Sequence, residues 1–365
     1  MNKYSMNQIS LKQFILIIVQ NQVGIGILSL PRELAKSAGT DGWISIILGW
    51  ILAMLLSLVI IRIMEKNPEY TLFEVLVKYF GKWVGNALAA VWILLYTCAA
   101  STTMLSAIHI IKIWIIQGTP NYMLMTLFAI PIYMITKQGV KGIGQFAELV
   151  LIVTMWMPFL LILTLKDAQW MNLIPIGKEG IYPILSSVKT TVYSFTGFEM
   201  AFFFYPFLKD KKSAFKGIVF ANSISMMIYL TTTIVCFVIF SRTEIKDYVY
   251  PTLNLLKLIH LPFLERLEII CLPLYLVFIF MTIIPFLYVA AFGTSQILGK
   301  QDHRNFLRIV ITLWILLSFF FIPTDSQITK MVKMVGITGL YSVYVFPIFL
   351  WIYGWIFHFV RKEVR

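Results

Sequence analysis

Gln22-Val23-Gly24-Ile25-Gly26-Ile27-Leu28-Ser29-Leu30-Pro31 places two glycines well inside an apolar run that begins at about Ser10. Each glycine costs about 1 kcal/mol relative to alanine in a helix interior. A second run carries a matching interruption, Ser194-Phe195-Thr196-Gly197-Phe198-Glu199, and adds an acid. A carboxylate at the centre of a bilayer costs about 2.5–3.5 kcal/mol on insertion scales. Unwinding at such points frees backbone amides and carbonyls, which is tolerated at membrane depth only where they face protein or a polar cavity. The amides of a half-helix starting near Ile27 suit a carboxylate, and the carbonyls ending the preceding half-helix suit an ammonium or a cation. The alternative is that Gly24 and Gly26 only let helices pack closely; the paired interruption at Thr196-Gly197 favours two breaks.

The rest of the chain has the composition of a membrane protein. Its 365 residues are 59% hydrophobic and 13% charged, with a mean hydropathy of +0.83. A soluble fold carries roughly 25% charged residues, so a cytosolic or secreted globular enzyme is excluded. Abundant aromatic and branched residues exclude disorder. Unbroken runs such as 272–291 exclude the alternating pattern of a β-barrel. The net charge of +13 reflects basic residues at membrane-segment ends, so lipid phosphate, not nucleic acid, is the expected counter-ion. Cys98, Cys236 and Cys271 are scattered, as are His109, His260, His303 and His358. No disulfide framework, metal site or cofactor is expected. No nucleophile, base and orienting acid converge, so the chain does not read as an enzyme.

Apolar stretches give about ten spanning helices, near 10–30, 42–61, 84–111, 122–135, 145–165, 182–207, 217–240, 267–298, 306–322 and 335–360. The first is too long, and lacks the cleavage site, for a signal peptide. A short amphipathic helix at the membrane surface is expected around 250–259, and residues 1–365 read as one integral membrane domain. Counting from a cytoplasmic N-terminus puts 18 of the 30 lysines and arginines on the cytoplasmic side, so both termini are expected inside. Reporter fusions after Lys178 and after Lys212 should therefore report opposite sides of the membrane; agreement between them would refute the ten-span topology. Breaks in the first and sixth spans correspond as first members of two five-helix halves, the pattern of an inverted-repeat transporter with its site at the repeat interface.

The residues from Val23 to Arg32 resemble the first-helix motif of the amino acid–polyamine–organocation transporters, and Ser194 to Glu199 resembles their sixth. The length, the ten spans, Asn172-Leu173-Ile174-Pro175 before the sixth helix and the basic turn Lys209-Asp210-Lys211-Lys212 after it resemble, within that superfamily, the spore germination permeases, the B subunits of bacterial spore germinant receptors. The resemblance implies an all-α fold of the LeuT type, a five-plus-five inverted repeat with helices one and six broken. It further implies a nutrient sensor in the inner membrane of a dormant spore. Such a subunit binds a small amino acid or nucleoside and acts with a larger A subunit and a lipoprotein C subunit. A proton-coupled secondary transporter uses the same pocket and remains the alternative.

The expected ligand-lining residues are Val23, Gly24, Ile25 and Gly26 in the first break and Thr196 and Gly197 in the second, flanked by Phe195 and Phe198. Ser101 and Thr102 in the third span and Tyr288 in the eighth join them, because in the resembling fold those helices wall the site. Glu199 is expected to receive a ligand ammonium, couple to a proton or tie its helix to a neighbour. Glu148, near the cytoplasmic end of the fifth span, is a second candidate for gating or proton coupling, or else a solvated partner of Lys141. Lys189, about 15 Å along a continuous helix from Glu199, is not expected to pair with it.

Overall fold

A computed structural model describes residues 4, 7–259, 266–300, 302–321 and 323–363; Lys3 and Arg365, which belong to the cytoplasmic count of basic residues, and His260 and Ile322 lie outside the described residues. The fold is all-α, with no strand among the described residues apart from an isolated parallel bridge between Ile9 and Leu208. Six helical stretches are long and apolar enough to cross a membrane by length and composition, and with the shorter and broken ones the described chain makes ten crossings.

The first crossing is α1 (Leu11–Gln22) and α2 (Gly26–Ala38), separated at Val23–Ile25. A capping box starts α1: the Gln13 amide donates to the Ser10 hydroxyl, and the Ser10 amide to the Gln13 side chain. Next come α3 (Gly42–Glu65) and α4 (Leu72–Trp114). Gly81, at φ 78°, bends α4 sharply, so the third crossing is preceded by a short segment that hydropathy alone had left out. Then follow α5 (Asn121–Thr136) and the fifth crossing, α6 (Gly139–Thr154) with α7 (Met157–Leu163). The sixth is α8 (Ile181–Ser194), a break, a 3₁₀ turn at Phe198–Met200 and the short α9 (Ala201–Phe204). The seventh is α10 (Ala214–Ile239).

A connection carrying α11 (Glu244–Asp247) and α12 (Pro251–Lys257) leads to α13 (Glu268–Ile297) and α14 (Arg304–Phe320). The expected surface helix at 250–259 is corrected here. Leu253, Leu255 and Leu256 are buried and α12 packs on α2, because its apolar face covers protein instead of lipid. The last crossing also starts earlier than its hydropathy indicates. It comprises α15 (Asp325–Leu340), a π turn at Tyr341–Val345 and α16 (Phe346–Glu363). Thr324 and Gln327 form its capping box, a polar start that apolar periodicity does not mark.

The core is a set of seams around the broken helices. The longest joins α4 to α13, while α1 is enclosed by α6, α10 and α13, and α8 by α2 and α3. Gly49 lets α3 meet Thr191 of α8 directly, and the Ser45 hydroxyl lies 2.6 Å from that of Ser187 across the same seam.

Candidate functional site

The two breaks meet, and they are stitched together by α10. The Tyr229 hydroxyl lies 2.7 Å from the Gln22 carbonyl and 2.9 Å from the Ser194 carbonyl, so its one proton serves the last carbonyls of both half-helices. The Gln22 amide donates to the Phe195 carbonyl at 3.0 Å and to Asn222 Oδ1 at 2.7 Å. Ser225 donates to Gln22 Oε1 at 2.6 Å, and Asn222 donates onward to the Ser57 hydroxyl at 2.8 Å. Gln22, Asn222, Ser225 and Ser57 are all buried. Such a network is stable only when each member is satisfied, and it fixes where the second break sits relative to the first.

Gly197 sits where no other residue fits well. Its φ is 127°, and a Cβ there would lie 2.8 Å from the Gln22 nitrogen and 3.0 Å from Asn21 Oδ1. Its amide donates to Glu199 Oε2 at 2.6 Å, so the buried acid folds back and caps the break that precedes it.

The first break is partly closed by side chains. Tyr275 of α13 donates to the Gly24 carbonyl at 2.7 Å, and Thr252 of α12 to the Ile27 carbonyl at 2.9 Å. The expectation that carbonyls ending the first half-helix stand open to a cation is therefore corrected: tyrosine hydroxyls occupy Gln22 and Gly24. The expectation that the amides near Ile27 stand free is corrected as well. Ile27 and Leu28 donate back into the turn, while among the described residues nothing accepts from the Ile25 and Gly26 amides.

A cavity of about 650 Å³ opens over this junction. Gly24, Ile25, Gly26, Thr102, Thr196 and Glu199 line it, with Asn21, Gln22, Tyr96, Tyr229, Thr282 and Phe286 completing the deep part. Asn21 Oδ1 and the Tyr96 hydroxyl are buried and have no hydrogen-bond partner. The mouth is formed by Glu33, Ser186, Lys189 and Lys333, on the side opposite the N-terminus by the alternation of crossings. The N-terminal side is shut where the Ile9 amide donates to the Phe207 carbonyl and the Lys209 amide to that of Ile9.

Several sequence expectations are corrected by helix geometry. Val23 faces away from the cavity into an apolar crevice against α7, α12 and α13. Phe195 and Phe198 are fully buried behind the break, edge-on to Tyr229 and Tyr344. Gly197 supports the site from behind without lining it. Ser101 turns to α14, where it accepts from Trp314 Nε1 at 2.8 Å. Tyr288 packs among Phe204, Phe292 and His303, off the cavity. Glu148 meets Lys12 at 4.0 Å and Gln13 at 3.4 Å, in place of Lys141, and lies away from the junction.

Asn21, Gln22, Tyr96, Tyr229 and Thr282 were missed. The amides of Asn21-Gln22 beside a glycine pair, and the stripe Asn222, Ser225, Tyr229 at helical spacing in an apolar helix, are the signals that mark them. Among the described residues no three His, Cys, Asp or Glu come together as a metal site.

Gly26 tests the cavity directly. A Cβ there would meet Ser194 Oγ at 3.7 Å and the Tyr229 hydroxyl at 3.9 Å, ordinary contacts. Gly26→Ala should keep membrane abundance and fold, whereas Gly26→Leu should keep abundance but lose the ligand response by filling the space. Loss of the leucine variant from the membrane fraction would instead make Gly26 a packing glycine.

Comparisons with known proteins agree with this architecture. The family model described as spore germination protein matches residues 8–329. Spore germination protein YndE of Bacillus subtilis (strain 168) is 29% identical over 316 residues, covering 85% of this chain and 86% of its own. Spore germination protein GerQB of Bacillus cereus is 27% identical over 351 residues, covering 94% and 95%. Among solved structures, MhsT in complex with L-phenylalanine superposes with a TM-score of 0.67 at 12% identity, covering 92% of this chain and 87% of that one. A substrate-bound, outward-open Na+-coupled sialic acid symporter gives 0.66 at 13% identity, covering 95% and 80%. At such identities these structures speak for the fold alone, which is the LeuT-type five-plus-five arrangement.

Proposed function

The chain belongs to the spore permease family of spore germination proteins, and from that premise we propose that it is the nutrient-sensing subunit of a germinant receptor. In this reading it sits in the spore inner membrane with both termini cytoplasmic. It binds a small α-amino acid where the two breaks meet and signals to an A subunit and a lipoprotein C subunit.

The observation that carries the reading is the floor of the cavity. Asn21 Oδ1 and the Tyr96 hydroxyl are buried without partners beside the carboxylate of Glu199 on the same lining. Unpaired buried polar atoms are costly, and oxygens gathered around a carboxylate suit an ammonium. The Ile25 and Gly26 amides, at the start of α2, suit the carboxylate of the same molecule. A zwitterion satisfies both; a nucleoside offers neither charge. The L-phenylalanine in complex with MhsT, which shares this fold, carries the same two groups. Binding stabilises one conformation only if the ligand contacts differ between conformations. A ligand that bridges two half-helices meets that condition.

The test is reconstitution of the subunit alone in proteoliposomes, with each of the twenty proteinogenic L-amino acids. At least one is expected to bind while showing little flux, and spores should germinate with it only when the A and C partners are present. Sustained proton-driven uptake by the subunit alone, lost in Glu199→Gln, would make the protein a transporter.

A further inference from the structure

The cavity has a second charged region that a neutral amino acid leaves unused. Lys189 of α8 and Lys333 of α15 both line it nearer the mouth. The two helices pack side by side, and Gly336 of α15 lies against the Tyr193 ring, its Cβ position 3.4 Å away. Both helices run in the same direction through the membrane. Lys189 precedes Tyr193 by four residues and Lys333 precedes Gly336 by three, so each stands about one turn toward the mouth from that contact. The two ammonium groups therefore project from one level of the cavity wall.

Neither lysine takes part in an ion pair among the described residues. Glu33, the acid at the rim, is 3.6 Å from Arg32. Two like charges lining a cleft with apolar walls concentrate a positive potential inside it. Lys189 is five residues, about 7.5 Å of helix, from Ser194 at the break. A side chain of two or three carbons, met by a lysine, spans that gap.

Resting on the proposal that the floor takes an α-amino acid, we infer that the ligand is an acidic one, aspartate or glutamate. Its α-ammonium lies against Glu199, its α-carboxylate against the Ile25 and Gly26 amides, and its side-chain carboxylate between Lys189 and Lys333. The ammonium then meets an acid, one carboxylate the start of α2 and the other carboxylate two lysines.

The test is calorimetric titration of the full chain in lipid nanodiscs with L-glutamate, L-aspartate, L-glutamine and L-alanine. The acidic ligands are expected to bind about tenfold or more tightly than glutamine, the effect of one charge-assisted hydrogen bond. In the double variant Lys189→Gln, Lys333→Gln that preference should vanish, with an unchanged melting temperature reporting that the variant is folded. Glutamine or alanine binding as tightly as glutamate in the unaltered chain would overturn this inference and leave the amino-acid reading standing. So would an acidic preference that survives in the double variant. Failure of all twenty proteinogenic amino acids to bind would remove both.

Discussion

Gly197→Ala is expected to lower ligand affinity about 100-fold and to destabilise the protein. Two effects add at one atom. The backbone at φ 127° belongs to a region that costs other residues about 1–3 kcal/mol. The new methyl would also press to 2.8 Å from the Gln22 nitrogen and 3.0 Å from the Asn21 carbonyl carbon. Those atoms are the backbone of the other break, which cannot rotate away as a side chain does. Relief requires separating the half-helices, which displaces Gln22 from Phe195 and Asn222 and opens the floor. Titration of the responding amino acid and the melting temperature in detergent measure both consequences. Affinity within threefold of the parent would mean that the two breaks are not in contact.

Glu199→Gln is expected to lower affinity by about 100-fold or more with little change in melting temperature. The carboxylate accepts the Gly197 amide at 2.6 Å, and the glutamine carbonyl can take over that bond. Its amide nitrogen then faces the cavity and presents a donor where the ligand ammonium also donates. Removing one partner of a buried charge pair costs about 3–5 kcal/mol, and here the repulsive contact acts in the same direction. Glu199→Asp, shorter but charged, should recover part of the affinity, whereas parent-like binding by the glutamine variant would reduce Glu199 to a cap for its own break.

The breaks were legible because they violate local rules. Glycine pairs and an acid inside spanning helices carry a cost that composition alone exposes. Which residues face the site was not legible, since a helix face is set by what packs against it. Thr102 and Ser106, four apart, line the cavity, but Ser101, one position round the helix, bonds Trp314 on α14. Along α13, Thr282 and Phe286 share the cavity face. Tyr288, two residues on, points to Phe292 and His303. Partners distant in sequence were equally hidden: Gln22 meets Asn222 two hundred residues away, and Glu148 meets Lys12, not the nearby Lys141. In the sequence Lys189 has only its distance along the helix from Glu199 to place it. What it shares with Glu199 is a cavity wall, which requires no direct contact.

The central claim, that a small amino acid occupies the junction of the two breaks, is tested most directly by cysteine protection. Thr196→Cys lines the cavity beside the second break, and Lys178→Cys lies on an exposed connection before α8. With Cys98 replaced by serine, both variants are reconstituted and treated with a membrane-impermeant methanethiosulfonate, with each proteinogenic L-amino acid added in turn. The amino acid that triggers the response should slow labelling at position 196 at least about tenfold at saturation, by occupancy, and leave position 178 unchanged. Labelling at 196 that no amino acid slows would contradict the account.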